Sequence, residues 1–295
     1  MKIKVSKSLA TAIFAVALPF SLQAQTWKGV DGEYTLGSNW IGEAVPVLTT
    51  GDTALITGGD VTYTPGGDLF ITNGSTLQIS GGSWSQAGAV SWIQMNGGNL
   101  LVDGGEFSQG SSGNILRNET SSITVSSGAA SFNGNFLHDV GFGSLSLSGG
   151  VMNIGNEFRN NVAGFDINGG ALAVTTGIAF NGSESVNISS GSVSVDASWN
   201  DLGFFAAEIG SSVNFTTGST GTLRLRGYDT AGSDFETILV NGNRLSINGA
   251  STTIADFITT SSGGDLLVSV IPEPSSILML LTGMGLLITS LHRRK

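Results

Sequence analysis

LQISGGSW (77–84), LLVDGGEF (100–107) and FDINGGAL (165–172) are three versions of one phrase: apolar-x-apolar-polar, a glycine pair, any residue, apolar. Looser versions are ALITGGDV (54–61), ITVSSGAA (123–130), LSLSGGVM (145–152), VNISSGSV (186–193) and VNFTTGST (213–220). The second glycine of the pair falls at Gly59, Gly82, Gly105, Gly128, Gly150, Gly170, Gly191 and Gly218, at intervals of 23, 23, 23, 22, 20, 21 and 27 residues. A nearly constant period of this length marks a repeat architecture in which each unit buries its apolar face against its neighbours.

Each unit starts with two apolar residues at alternate positions, such as Leu77/Ile79, Leu100/Val102, Ile123/Val125 and Val186/Ile188. Alternation at period two puts them on one side of a strand. The glycine pair lets the chain turn through positive φ, and a second strand starts at Trp84, Phe107, Ala130, Met152, Leu172 or Val193. A third short apolar segment follows: WIQM (92–95), NILR (114–117), NFLH (135–138), NEFR (156–159) or GIAF (177–180). Three strands and three turns in 20–23 residues describe one coil of a parallel β-helix. The expected fold is all-β: a right-handed parallel β-helix of about eight coils over residues 54–218. Stacked at strand spacing, these coils make a rod of roughly 35–40 Å. An antiparallel sandwich also spaces short strands regularly, but has no reason to repeat one strand-turn-strand phrase eight times.

Rod ends expose strand edges and need caps. Residues 25–53, with Trp27, Trp40, Pro46 and the run GDTALI (51–56), are expected to form the N-terminal cap. This W-x-G … N-W … P … G-D-x-A opening resembles the start of many autotransporter-like and other exported repeat proteins. Trp27 and Trp40 suit cap packing, with a sugar-stacking platform as the alternative. The period fails after Gly218, and residues 219–271 are expected to give irregular strands, TLRLRG, TILVNGN, RLSING and DLLVSVI, as a last coil or covering sheet.

The composition fits a folded, all-β body. Glycine is abundant (44 residues) and only 12% of residues are charged, yet 40% are hydrophobic and fall in short alternating runs, unlike a disordered chain. Of the 22 acidic residues all but Glu273 lie between Thr26 and Pro272, where only Lys28, Arg117, Arg159, Arg224, Arg226 and Arg244 oppose them. Such an acidic body repels phosphate backbones, so no nucleic-acid partner is expected. There is no cysteine, hence no disulfide framework and no thiolate metal site.

Residues 1–24 have the three parts of a secretory signal peptide: Lys2, Lys4 and Lys7, the apolar stretch Leu9–Leu18, and a small residue at Ala24 after the helix breaker Pro19. Cleavage is expected between Ala24 and Gln25, which implies the secretion translocon and signal peptidase as partners. At the other end Pro272, Glu273 and Pro274 precede an uncharged stretch, Ile277–Leu291, and the cations Arg293, Arg294 and Lys295. Fifteen residues are few for a spanning helix, which takes about 20. The terminal cations are expected to act as membrane-stop charges that keep the C-terminus cytoplasmic.

The order Pro-Glu-Pro, apolar helix, basic end over residues 272–295 resembles the PEP-CTERM sorting signal of Gram-negative bacteria. That resemblance implies recognition by an exosortase-type membrane protease, transient anchoring in the inner membrane, and a final place at the cell surface or outside the cell. The same tail type has also been called an ice-binding-protein C-terminal region.

Parallel β-helices also host polysaccharide lyases and hydrolases, so the carboxylates were tested as a site. Glycoside hydrolysis takes two carboxyls about 5–9.5 Å apart. The position before the glycine pair reads Ser80, Asp103, Ser126, Ser148, Asn168 and Ser189, with Asp166 and Asp196 at other offsets. This is a polar ladder containing one aspartate. His138, the single histidine of the mature body, stands in line with Arg117 and Arg159 and reads as an exposed position. Arg224 and Arg226 alternate on a strand and should pair with acidic neighbours. No catalytic residue, metal site or cofactor is assigned. The expected function is that of a non-catalytic structural or adhesive surface or matrix protein. The alternatives are a polysaccharide-binding or polysaccharide-degrading β-helix and, as a minor one, an ice-binding face, which the scattered threonines do not favour.

Overall fold

The computed structural model describes residues 24–272, apart from 65–66, 87–91, 111–114, 119, 139–143, 161–164, 181–184 and 207–210. The fold is all-β, a parallel β-solenoid of about six turns. Its strands stack coil on coil at the repeat spacing. Thr53–Tyr63, Thr76–Gln86, Asn99–Gln109 and Ser122–Phe132 pair in parallel, one after the next. Leu145–Leu147 with Val151–Ile154, then Phe165–Val174 and Ser185–Asp196, continue the stack. A separate seven-stranded sheet collects the third segments, from Leu69–Thr72 to Phe204–Ala206.

In most coils the first and second strands are one continuous strand of 10 to 12 residues, bent at the glycine pair, where the register shifts. The bend separates two faces of the rod, and the short third strand makes the other side. Inward rows follow the alternation read from sequence. Leu77, Leu100, Ile123 and Val186 line the first face, Trp84, Phe107, Met152 and Leu172 the second, and Ile93, Phe136, Phe158 and Ile178 the third, all buried. Aromatic rings run down this core: Tyr63, Trp84, Phe107, Phe132, Phe136, Phe158 and Phe165 follow one another at centroid distances of 4.9–5.6 Å. Burying the apolar area of the rings is the main reason the coils cohere, since a single coil cannot close its own core.

The backbone of the glycine turn is stacked as tightly as the core. Gly128 has φ +74°, and a Cβ there would lie 2.1 Å from the carbonyl oxygen of Gly105 one coil earlier. The same contact recurs from Gly82 to the carbonyl of Gly59 and from Gly191 to that of Gly170. Glycine is therefore required here twice over, by its dihedral and by the approach of the neighbouring coil.

The expected count of eight coils is corrected to about six turns. Counting glycine pairs counts rungs on one edge, not closed turns, and among the described residues no third-face strand follows the eighth phrase. Its glycine was also misaligned. Thr222 pairs with Ser192, so the residue level with Gly191 is Gly221, and Gly218 sits in a three-residue-longer turn with nothing within 4 Å of its Cβ position. At strand spacing, six turns give roughly 30 Å of rod.

At the N-terminal end, Trp27, Tyr34 and Trp40 pack edge-to-face at 5.0 and 5.1 Å over the first coil. Each has its polar atom satisfied by a carbonyl: Trp27 Nε1 donates to Val30, Trp40 Nε1 to Tyr34 and the Tyr34 hydroxyl to Pro46. Burial raises the Tyr34 phenol well above its ordinary range, so it stays a neutral donor. At the C-terminal end, Phe235–Val240 is a turn of π-helix, not the strand expected from TILVNGN, and it buries Phe235, Leu239 and Val240 over the open core. Leu245–Ile247 with Ala250–Ser251 closes the first face, and the antiparallel hairpin Phe257–Ser262/Asp265–Val270 closes the second. Among the described residues no helix is long and apolar enough to cross a membrane; the helix expected at 277–291 lies outside them.

Candidate functional site

The outer side of the first face is a ladder of short polar side chains. Ser122 Oγ donates to Asn99 Oδ1 (2.6 Å), and Asn99 Nδ2 to Thr76 Oγ1 (3.3 Å). Further along, Asn187 Nδ2 donates to Asp166 Oδ1, Asn214 Nδ2 to Asn187 Oδ1, and Ser246 Oγ to Asn214 Oδ1, at 2.9, 2.9 and 3.1 Å. Parallel in-register pairing puts like positions about 4.8 Å apart, within reach of one another's hydroxyls and amides. The ladder is thus a direct consequence of the repeat. It leaves a hydroxyl- and amide-rich surface whose groups bond along the rod axis.

The position before the glycine pair belongs to this ladder. Ser189 Oγ donates to Asn168 Oδ1, and Asp103 Oδ2 accepts from Gln78 Nε2 of the preceding coil at 2.9 Å. Other carboxylates are engaged in the same manner: Asp68 with the backbone N–H of Trp92, Asp60 with Ser83 Oγ, and Asp31 with the N–H of Asp60. Among the described residues there is no group of three or more His, Asp or Glu that could hold a metal ion. Among the described residues two carboxyls have clearly displaced titration, both downward. The Ser198 hydroxyl and N–H hold Asp196 low, and the N–H of Gly227, followed by the Arg224 guanidinium, does so for Asp265. A general acid requires the opposite displacement.

Arg224 Nε donates to Asp265 Oδ2 at 2.6 Å, as an acidic partner was expected to provide. Arg226 lies opposite Asp196 and acts on it by charge, while its Nη2 donates to the carbonyls of Val174 (2.6 Å) and Thr175 (2.8 Å), tying the last coil to the one two strands earlier. Because the folded state lowers the pKa of Asp265, its contribution to stability is complete above the ordinary aspartate range near pH 4 and is lost as pH falls below it. Thermal melts across pH 2–6 should therefore show a steeper acid loss in the parent than in Asp265→Asn, which is less stable near neutrality. Parallel curves would remove the role given to this carboxylate.

His138 is placed differently from the sequence reading. Leu137, not His138, pairs with Arg159, and His138 pairs with Asn160, which in turn pairs with Phe180. Sequence also missed Gln86 and Gln109, which occupy the inward row between Tyr63 and Phe132 and are buried. Both amide atoms of Gln86 lack a hydrogen-bond partner among the described residues. Trp27 and Trp40 are buried and present no ring for a sugar to stack on.

Ala24 and Gln25 lie in the strand Ala24–Thr26, which pairs with the first rung at Thr53 and Ala54. Pro272 is exposed two residues after the last strand. Glu273, Pro274, Arg293, Arg294 and Lys295, together with the signal segment up to Gln23, lie outside the described residues. No family model, curated protein or solved structure matches the chain. The architecture defines it as a parallel β-solenoid with antiparallel C-terminal closure.

Proposed function

We propose that the chain is an exported, non-catalytic surface or extracellular-matrix protein, a right-handed β-helical rod that serves as a structural or adhesive element. It leaves the cytoplasm through the secretion translocon, loses residues 1–24 to signal peptidase, and is sorted by a PEP-CTERM-like tail over residues 272–295. Pro272, Glu273 and Pro274 present the tail to an exosortase-type membrane protease. The apolar stretch and the stop charges Arg293, Arg294 and Lys295 hold it in the inner membrane until release.

The observation that carries the reading of the body is the outer ladder. Its hydroxyls and amides bond to one another along the rod, and its carboxylates are tied to serine, glutamine, asparagine and backbone partners. A surface of this kind suits extended contact with hydrated polymer, including extracellular polysaccharide. The same ladder also supports the second reading, a polysaccharide-binding rod. No cofactor is needed for either. Fractionation of tagged protein with and without residues 272–295 tests the sorting role. The full chain should reach the surface or medium, and the truncated one should stop in the periplasm. Identical location and size for both would remove the tail from the account.

A further inference from the structure

The C-terminal hairpin breaks the surface pattern of the rod. Along the outer side of the second face, successive coils present Ser83, Glu106, Ala129, Val151, Ala171 and Ser192, mostly small or polar. At the closing hairpin this changes. Ile258 is 46% exposed, Ile271 44% and Ile254 38%. The pairing puts Ile258 and Ile271 together. Phe257 faces the core opposite Val270, and Ile258 lies opposite Ser269. The N–H of Ile271 bonds the carbonyl of Asp256 at 3.0 Å. Alternation then sets Ile258 and Ile271 on the outer side, diagonally across the hairpin at about 7–8 Å, with half-buried Leu267 on the same side. The strand Phe257–Ser262 contains no charge; nearby Asp256 is held by the N–H and hydroxyl of Thr253, and exposed Arg224, opposite Leu267, is neutralised by its ion pair with Asp265.

The chain leaves the rod within this patch. Between Ile271 and the apolar stretch beginning at Ile277 there are only the five residues 272–276. Fully extended, they reach about 17 Å, and the headgroup layer of one leaflet takes up roughly 6 Å of that. A rod whose apolar tail is inserted therefore stands with this end at the headgroups. We infer that the outer side of the C-terminal hairpin, Ile258, Leu267 and Ile271, is a bilayer-contact surface on which the rod rests while its tail is inserted. The inference rests on the tail reading above. Its partner is uncharged lipid, since the acidic body is repelled by anionic headgroups. Contact at the base of the tail fixes the rod upright, with Pro272 at the membrane surface.

The absence of cysteine makes a clean test available. The full chain is prepared as Ile258→Cys or, as a control on the second face near the other end, Ser83→Cys, each carrying an environment-sensitive fluorophore. It is then mixed with phosphatidylcholine vesicles containing lipid brominated near the headgroup. Circular dichroism melts establish that both labelled chains are folded. The expected result is a blue shift and several-fold stronger quenching at position 258 than at 83, reduced when Ile271→Ser is added. If the chain sediments with vesicles but both labels stay aqueous, the contact surface is wrong and the tail reading stands. If the chain does not bind vesicles, the tail reading fails and this inference falls with it. A shift at 258 that needs no lipid and grows with protein concentration assigns the patch to a second copy and overturns the proposal.

Discussion

Gly128→Ala should cost about 4 kcal/mol or more and leave the chain largely unfolded, whereas Gly218→Ala should cost about 1 kcal/mol. Both glycines have positive φ, +74° and +69°, so both substitutions incur the same left-handed backbone strain of roughly 1–2 kcal/mol. Only Gly128 is stacked. Its new methyl would lie 2.1 Å from the Gly105 oxygen, which sits in a bend held on both sides by the pairs Asp103–Ser127 and Glu106–Ala129 and so has little room to move. A loss above 4 kcal/mol is expected only where such a named mechanism acts. Urea melts of the two variants decide the matter. Equal effects would mean that the glycines serve the turn alone and that the coils do not stack through them.

The second large effect is expected at Trp84. Its indole is fully buried, lies 4.9 Å from Phe107 at an interplanar angle of 4°, and stacks on Tyr63 from the other side at 5.6 Å. Trp84→Ala removes the ring that joins the capped end to the rest of the core, at a cost of about 3–5 kcal/mol. Trp84→Phe should cost far less, because Trp84 Nε1 is buried without a hydrogen-bond partner and phenylalanine has no such donor to satisfy. In a stack held by nearest-neighbour contacts the cavity should also uncouple the two ends. Hydrogen exchange should then show the first two coils opening before the rest, in the alanine variant only. Uniform exchange would show that the aromatic column carries no special share of the coupling.

These two sites mark what was legible in the sequence. The period, the inward rows led by Leu77 and Trp84 and the need for glycine at the bend follow from alternation and turn chemistry, both local properties. Register between coils is not local. The loop that holds Gly218 imitates the repeat phrase, and only the pairing of Thr222 with Ser192 shows that Gly221 takes its place. The same holds at His138, whose backbone partner one coil on is Asn160, while Arg159 is opposite Leu137. Gln86 and Gln109 look like surface residues by type, yet they continue a buried row begun by Tyr63 and ended by Phe132. The closing elements are used once, so no repetition revealed the π-helical turn over Phe235–Val240 or the exposed isoleucines beyond it.

The polar ladder was anticipated in outline, as a column of Ser, Asp and Asn before the glycine pairs. Its bonding pattern was not, because the direction in which Asn187 or Asn214 donates depends on the neighbour each finds one coil away. That pattern is why the body reads as a surface and not as a cleft. Side chains that satisfy one another along the axis leave few groups converging on a point.

The most direct test of the account is the intact mass of the protein recovered from outside the cell, set beside the mass of any pool retained inside. Export and tail processing predict an outside species that begins at Gln25 and ends before the apolar stretch 277–291, with the tail-bearing form confined to the membrane fraction. A chain that runs from Met1 to Lys295 and stays in the cytoplasm would contradict it.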